Sequence, residues 1–307
     1  MITSTGFLIL GTILLYFGAE WVVKSGVHIA EEFNISPIVI GLTVVAFGTS
    51  LPELVVSMDA ALSGAETIAV GNVIGSNIAN VGLVLGISSL IFPLTIKYGE
   101  IKRDLLYYVF ICLIFIAMIS DGIITRLEGS LLTIGIIGYT SYSIKRPPEI
   151  VDEREEHFKS MHRAIVALVV GVGMLWLGAE FFVFGAVKMA RLLGVGEIVI
   201  GMSIVALGTS LPEFATSFVA ALRKQSSISI GNIIGSNLFN ILSVLGFTAL
   251  VKPLRAPTEI LSLEVPYMFM YGLVLFPLAW IKQPVPRWIS TLLFLGYVGF
   301  IALLFTR

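Results

Sequence analysis

The stretch Gly48-Thr49-Ser50-Leu51-Pro52-Glu53 returns, residue for residue, as Gly208-Thr209-Ser210-Leu211-Pro212-Glu213. Each copy puts a carboxylic acid and a helix-breaking proline inside a strongly apolar segment, where both are costly unless the protein uses them. Around this pair the chain repeats itself at a constant offset of 160 residues. Gly41 to Glu53 and Gly201 to Glu213 share 9 of 13 positions, and Gly71 to Gly86 and Gly231 to Gly246 share 10 of 16, without a gap. Two unrelated apolar helices would coincide in Leu and Val, not in Gly, Asn, Ser, Pro and Glu. The match reaches the first helix of each half, where Gly18-Ala19-Glu20 answers Gly178-Ala179-Glu180.

A chain of 307 residues that is 57% hydrophobic and 13% charged, with mean hydropathy +0.98, does not fold as a water-soluble globule. It reads as an all-α membrane protein of ten transmembrane helices, spanning roughly 5 to 30, 37 to 62, 69 to 94, 104 to 120, 127 to 144, 164 to 190, 197 to 222, 226 to 251, 260 to 281 and 287 to 305. The first apolar stretch has no cationic leader and no small-residue cleavage pattern, so it is expected to be a span and not a removed signal peptide. The only extended polar segment divides the chain into a first five-helix repeat (1–145), a linker (146–163) and a second repeat (164–307). Five is odd, so the second copy enters the membrane from the opposite side and the repeats are inverted, an arrangement typical of transporters. With the N-terminus outside, 13 of the 19 Lys and Arg residues fall on the inner side. Both termini are therefore expected to be extracellular, the linker cytoplasmic and the protein in the cell membrane. The net charge of -1 implies nothing about nucleic acid, no nucleic-acid partner is expected, and the single Cys112 allows no disulfide within the chain.

Proline 52 has no amide hydrogen, and its ring collides with the carbonyl of Gly48; Pro212 and Gly208 repeat this. Helical hydrogen bonding is expected to lapse over Ala46 to Thr49 and Ala206 to Thr209, freeing carbonyl oxygens beside an acid, a setting suited to a hard cation. Ser50-x-x-Glu53 and Ser210-x-x-Glu213 also match a capping box, which would satisfy only the helix's own amides. Ser76 and Asn80, and Ser236 and Asn240, are four apart and share a helical face, joined by Asn72 and Asn232 respectively. They could complete an oxygen shell or simply hold membrane helices together. Two carboxylates facing each other would repel in a poorly solvated site, so they require protons or cations. His28, His157, His162 and Cys112 all lie away from these positions. An all-oxygen site points to Ca²⁺ or Na⁺ and away from Zn²⁺ or Cu⁺.

The paired Gly-Thr-Ser-Leu-Pro-Glu and Gly-Asn-x-Ile-Gly-Ser-Asn segments, in two halves of five spans, resemble the α-repeats of the sodium/calcium exchanger family, within the Ca²⁺:cation antiporter superfamily. The short linker resembles that of its compact prokaryotic members. The resemblance implies alternating-access exchange of Na⁺ for Ca²⁺, a secondary transporter and not an enzyme, and no cofactor beyond the transported ions. It implies a Ca²⁺ site of the Glu53 and Glu213 carboxylates with the Thr49 and Thr209 carbonyls. Flanking Na⁺ sites would use Ser50, Glu53, Ser76 and the Ala46 carbonyl, and Ser210, Glu213, Ser236 and the Ala206 carbonyl, with Asn80 and Asn240 facing the centre. Some relatives carry Asp at one central position where this chain has Asn at both, which bears on stoichiometry and on coupling to H⁺. The family's first and sixth spans slide as gates; Glu20 and Glu180 in them read as polar anchors, and Asp104 and Glu264 as interface residues. A proton/calcium or K⁺-dependent exchanger is the near alternative. An intramembrane hydrolase is remote, for no nucleophile or metal-ligand set accompanies the glutamates.

Overall fold

The computed structural model describes residues 1–146, 158–196, 200, 204, 206–280 and 284–304. Most of the linker and the start of the seventh expected span lie outside the described residues. The chain is an all-helical membrane protein. Its helices are α1 (Ile2–Glu32), α2 (Pro37–Thr49), α3 (Leu51–Leu62), α4 (Glu66–Ile91), α5 (Tyr98–Met118), α6 (Arg126–Ile144), α7 (Met161–Leu192), α8 (Leu211–Leu222), α9 (Ser226–Val251), α10 (Glu264–Trp280) and α11 (Arg287–Leu304). Among the described residues α1, α4, α7, α9, α11 and the segment Tyr98–Asp121 are each long and apolar enough to cross a bilayer, and α2 with α3 is so only when the two are taken together across their 42° bend. Helices α8 and α10 are shorter apolar helices. Helix α10, in the ninth expected span, starts at Glu264, four residues later than expected, because Thr258–Ser262 after Pro257 forms a 3₁₀ turn.

Local chemistry sets the helix ends. Pro37 opens α2 behind an extended Ser36. Thr125 starts α6 with a capping box: its hydroxyl accepts the Glu128 amide, and the Glu128 carboxylate accepts the Thr125 amide at 2.7 Å. Left-handed turn residues recur at the 160 offset, Asn34 (φ 53°) with Gly194 (φ 79°) and Gly64 (φ 87°) with Lys224 (φ 59°). So do wide π-helical turns, at Asn80–Leu85 in α4 and Asn240–Leu245 in α9. A two-stranded contact pairs Ile123 with Arg255 and Ile124 with Leu254, and an isolated bridge pairs Thr95 with Pro284. The offset carries one of these contacts onto the other to within one residue.

Burial separates a centre from a periphery. In their most apolar windows α9 is 89% buried and α4 72%, whereas α1 is 33% and α7 28%. The two central helices thus meet protein on nearly all sides, and the outer pair presents Ile9, Ile13, Phe17, Val169 and Trp176 outwards. Helices α1 and α7 lie backbone to backbone. A Cβ on Gly11 would sit 2.8 Å from the Gly178 carbonyl, and one on Gly18 2.8 Å from that of Gly171. Glycine is required for that approach, and its spacing of seven keeps it on one face of each helix.

Candidate functional site

The proline breaks decide where the acids stand. Ser50 and Ser210 end the preceding helical turns with ψ near 0°, and Leu51–Leu62 and Leu211–Leu222 restart with proline at their second position. Glu53 and Glu213 therefore sit in the first turn of a new helix. The break is narrower than expected: Ala46–Thr49 remains a helical turn, and the Ala46 carbonyl accepts the Ser50 amide at 3.0 Å and the Thr49 hydroxyl at 3.2 Å. That oxygen is occupied inside its own helix in this conformation. In the second copy the Leu207 carbonyl accepts the Ser210 amide at 3.2 Å, and Ala206–Gly208 is likewise a helical turn. What proline withholds is the donor that would otherwise reach the Gly48 and Gly208 carbonyls.

Neither serine caps its helix. Ser50 instead donates its hydroxyl to Glu213 Oε1 at 3.2 Å, from the other half of the chain. The capping-box alternative is thus not what the first copy builds. Both glutamates are 0% exposed. Among the described residues no cationic side chain forms an ion pair with either. Ser76 donates weakly to Glu53 Oε1 at 3.5 Å, and Ser236 shares a 3.3 Å bond with the Thr49 hydroxyl.

Asparagines tie the halves together, in pairs related by the offset. The Thr49 hydroxyl shares its one hydrogen between the Ala46 carbonyl and Asn232 Oδ1, 3.1 Å away, and the Thr209 hydroxyl donates to Asn72 Oδ1 at 3.3 Å. The same amides donate back, Asn72 to the Glu53 carbonyl (3.4 Å) and Ser57 (3.1 Å), Asn232 to the Glu213 carbonyl (3.4 Å) and Ser217 (2.9 Å). Nearer the middle, Asn80 Nδ2 donates to Asn237 Oδ1 at 3.0 Å and Asn240 Nδ2 to Asn77 Oδ1 at 3.1 Å. Asn77 and Asn237 belong to the repeated motif, but nothing in their spacing marks them as the residues that orient Asn80 and Asn240; the partner lies across the repeat.

These bonds use most of the donors and leave chiefly acceptors, with Asn237 Nδ2 the unpartnered donor among them. Glu53 Oε2, Glu213 Oε2, Asn80 Oδ1 and Asn240 Oδ1 are buried with no hydrogen-bond partner, as is the Ser210 hydroxyl. Leaving buried polar atoms unsatisfied costs about 1–3 kcal/mol each, and more when charged. Four orphan oxygens of matching type in the two halves are of the kind that a cation preferring oxygen could take as ligands. Among the described residues there is no cluster of three or more His, Cys, Asp or Glu, so a transition-metal centre has no ligand set here.

Of the residues anticipated outside this site, Asp104 is fully buried and held by Arg146, 2.7 Å from Nη1 to Oδ2, and by the Tyr139 hydroxyl at 2.9 Å. It is an interface residue joining α5 to the end of α6. Glu20 pairs with Lys24 at 2.9 Å and with Arg223, whereas Glu180 is exposed.

Comparison with known proteins agrees along the whole chain. A family model described as sodium/calcium exchanger protein matches residues 3–145 and 163–306. An uncharacterized membrane protein of Methanocaldococcus jannaschii is 38% identical over 303 residues, 98% of each chain. The sodium/calcium exchanger MaX1 of Methanosarcina acetivorans is 32% identical over 340 residues, 97% of each. The solved structure of the sodium-calcium exchanger NCX_Mj, soaked with zero Na⁺ and Ca²⁺, superposes with TM-score 0.87 at 35% identity over 99% of both chains. With the family model covering both halves and full-length relatives above 30% identity, the chain belongs to the sodium/calcium exchanger family, integral membrane proteins that are secondary transporters and not enzymes.

Proposed function

We propose that the chain exchanges Na⁺ for Ca²⁺ across the cell membrane by alternating access at a single site between two halves. The observation that carries this reading is the set of four buried, unpartnered oxygens, Glu53 Oε2, Glu213 Oε2, Asn80 Oδ1 and Asn240 Oδ1. Two bare carboxylates in a desolvated site each cost several kcal/mol, an expense that one divalent or a few monovalent cations remove. Competition for the same oxygens then makes the two ions exchange partners, because passage with uncompensated charge is penalised.

In this reading Ca²⁺ is held by the carboxylates of Glu53 and Glu213 and the carbonyls of Thr49 and Thr209. Na⁺ takes flanking positions, one with Ser50, Glu53, Ser76 and the Ala46 carbonyl, the other with Ser210, Glu213, Ser236 and the Ala206 carbonyl. Asn80 and Asn240 turn their oxygens to the centre. The Ala46 carbonyl gives up its Thr49 hydroxyl bond when the ion binds, since its amide bond uses only one lone pair.

The architecture we infer has ten spans in two inverted five-helix repeats, 1–145 and 164–307, joined by a cytoplasmic linker (146–163), with both termini outside. It is supported by the recurrence of left-handed turns, π turns and strand contacts at one offset. The reciprocal Asn80–Asn237 and Asn240–Asn77 bonds follow the same exchange of halves.

The test is Na⁺-gradient-driven uptake of radioactive calcium by proteoliposomes. Glu53→Gln and Glu213→Gln are each expected to abolish it, and wild-type-like exchange in either variant would sink the assignment. Uptake under a pH gradient alone, with none under a Na⁺ gradient, would make H⁺ the coupling ion.

A further inference from the structure

In an inverted-repeat transporter the two end states are related by exchanging the halves. If the halves were identical the states would have equal energy, so a difference in their stability comes from positions where the repeats differ. Among the described residues a difference of this kind lies at the outer pair of helices.

On the side that carries the linker, α1 packs along α8. Ala19, Val22, Val23 and Val27 of α1 form one buried apolar cluster with Val219 and Ala220 of α8 and Ile228 of α9. Just beyond, Glu20 accepts from Lys24 at 2.9 Å and from Arg223, which caps the end of α8. On the opposite side the equivalent helices are α7 and α3, and they scarcely touch. The equivalent residues cannot make the same contacts. Glu180 keeps the acid, but Ser63 stands for Arg223 and Phe184 for Lys24. Asp59 stands for Val219 and is exposed, and Ile68, in place of Ile228, is 59% exposed. Closing α7 over α3 would therefore not rebuild this ion cluster and would bury the charge of Asp59.

We propose that the Glu20–Lys24–Arg223 cluster, backed by the Val219 contact, is a one-sided latch that biases the transporter towards the state closed on the linker side and open on the other. Arg223 and Glu20 are in this sense positioning residues: they bind no ion, and they set the proportion of the two states that the ions then shift. The inference rests on the inverted-repeat reading above.

It is tested with spin labels at Leu62→Cys and Leu192→Cys, the exposed far ends of α3 and α7, in a Cys112→Ala background that still transports. Distances are recorded in proteoliposomes with Na⁺, with Ca²⁺ and without either. Two populations are expected, the longer dominant. Arg223→Gln and Glu20→Gln should each raise the short-to-long ratio by about three- to tenfold, the range for a part-exposed charged hydrogen bond. Arg223→Lys, which keeps the charge, should stay near the parent. Asp59→Val should raise the short population independently, by removing the charge that closure buries. An unchanged ratio in both glutamine variants, with ion-dependent populations intact, overturns the latch alone. A Lys variant behaving like the Gln variant overturns its ionic basis. One distance that no ion or variant moves removes the inverted-repeat reading, and the latch with it.

Discussion

Replacing Asn77 by alanine should weaken Ca²⁺ binding, although Asn77 is not among the proposed ligands. Its Oδ1 accepts from Asn240 Nδ2 at 3.1 Å, and its own Nδ2 donates to the Asn237 carbonyl at 3.2 Å. The first bond ties down one side of the Asn240 amide, and Asn240 Oδ1 is left buried without a partner. Without Asn77 the amide is free to rotate or flip, and the ion must then order it. One neutral hydrogen bond contributes about 0.5–1.5 kcal/mol, and about 1.4 kcal/mol is a factor of ten in affinity. The expected loss is therefore about two- to tenfold. Calorimetric titration of Ca²⁺ into detergent-purified protein measures it for Asn77→Ala, Asn240→Ala and the double variant. With the effect of Asn77 on the ion routed through Asn240, the double variant should match Asn240→Ala to within about 0.5 kcal/mol. Wild-type affinity in Asn77→Ala, or losses that add in the double variant, would show that Asn77 does not hold the Asn240 amide for the ion.

Two further outcomes concern stability. A Cβ on Gly231 would lie 2.5 Å from the Ile38 carbonyl, whereas one on its counterpart Gly71 would meet nothing within 4 Å. Gly231→Ala should cost about 1–3 kcal/mol and lower the unfolding midpoint in detergent, while Gly71→Ala should leave it unchanged or slightly raised; equal effects would contradict the packing. Arg146→Met should cost about 3–5 kcal/mol by stranding Asp104 in the interior. Adding Asp104→Asn should restore most of that loss in the same thermal scan, and no recovery would mean that the pair is not what holds α5 to α6.

The helical spans, the repeat offset and the two acids are readable from composition and from unchanged spacing, because apolar length and proline act locally. Glu53, Glu213, Ser50, Ser76 and Asn80 are all buried, as their place in apolar segments requires. What spacing does not disclose is the partner across the halves. A capping box and a Ser50–Glu213 bond have the same local sequence, and only the approach of the two halves chooses between them. Helical hydrogen bonding was expected to lapse over four residues, yet the Ala46 carbonyl keeps its amide donor, because one missing proline N–H frees one carbonyl and not a whole turn. The glycine contact between α1 and α7 has a visible spacing of seven, at Gly11 and Gly18 and at Gly171, Gly178 and Gly185. That spacing names a face; it does not name the helix facing it. The π turns follow from no residue preference at all, since Asn-Val-Gly-Leu-Val-Leu and Asn-Ile-Leu-Ser-Val-Leu would equally continue an α-helix.

A π turn holds one residue more than an α turn, so everything beyond it is set back by about 100°. In α4 this phase slip falls between two regions with different neighbours. Before it, Ser76 faces Glu53; within and after it, Gly82 and Gly86 lie against Tyr297 and the Ser290 carbonyl of α11. The two stretches of the span therefore stand at a fixed offset of about 100° from where a continuous α-helix would place them. A continuous α-helix of the same sequence would have to give up one of these contacts, either Ser76 against Glu53 or the two glycines against α11.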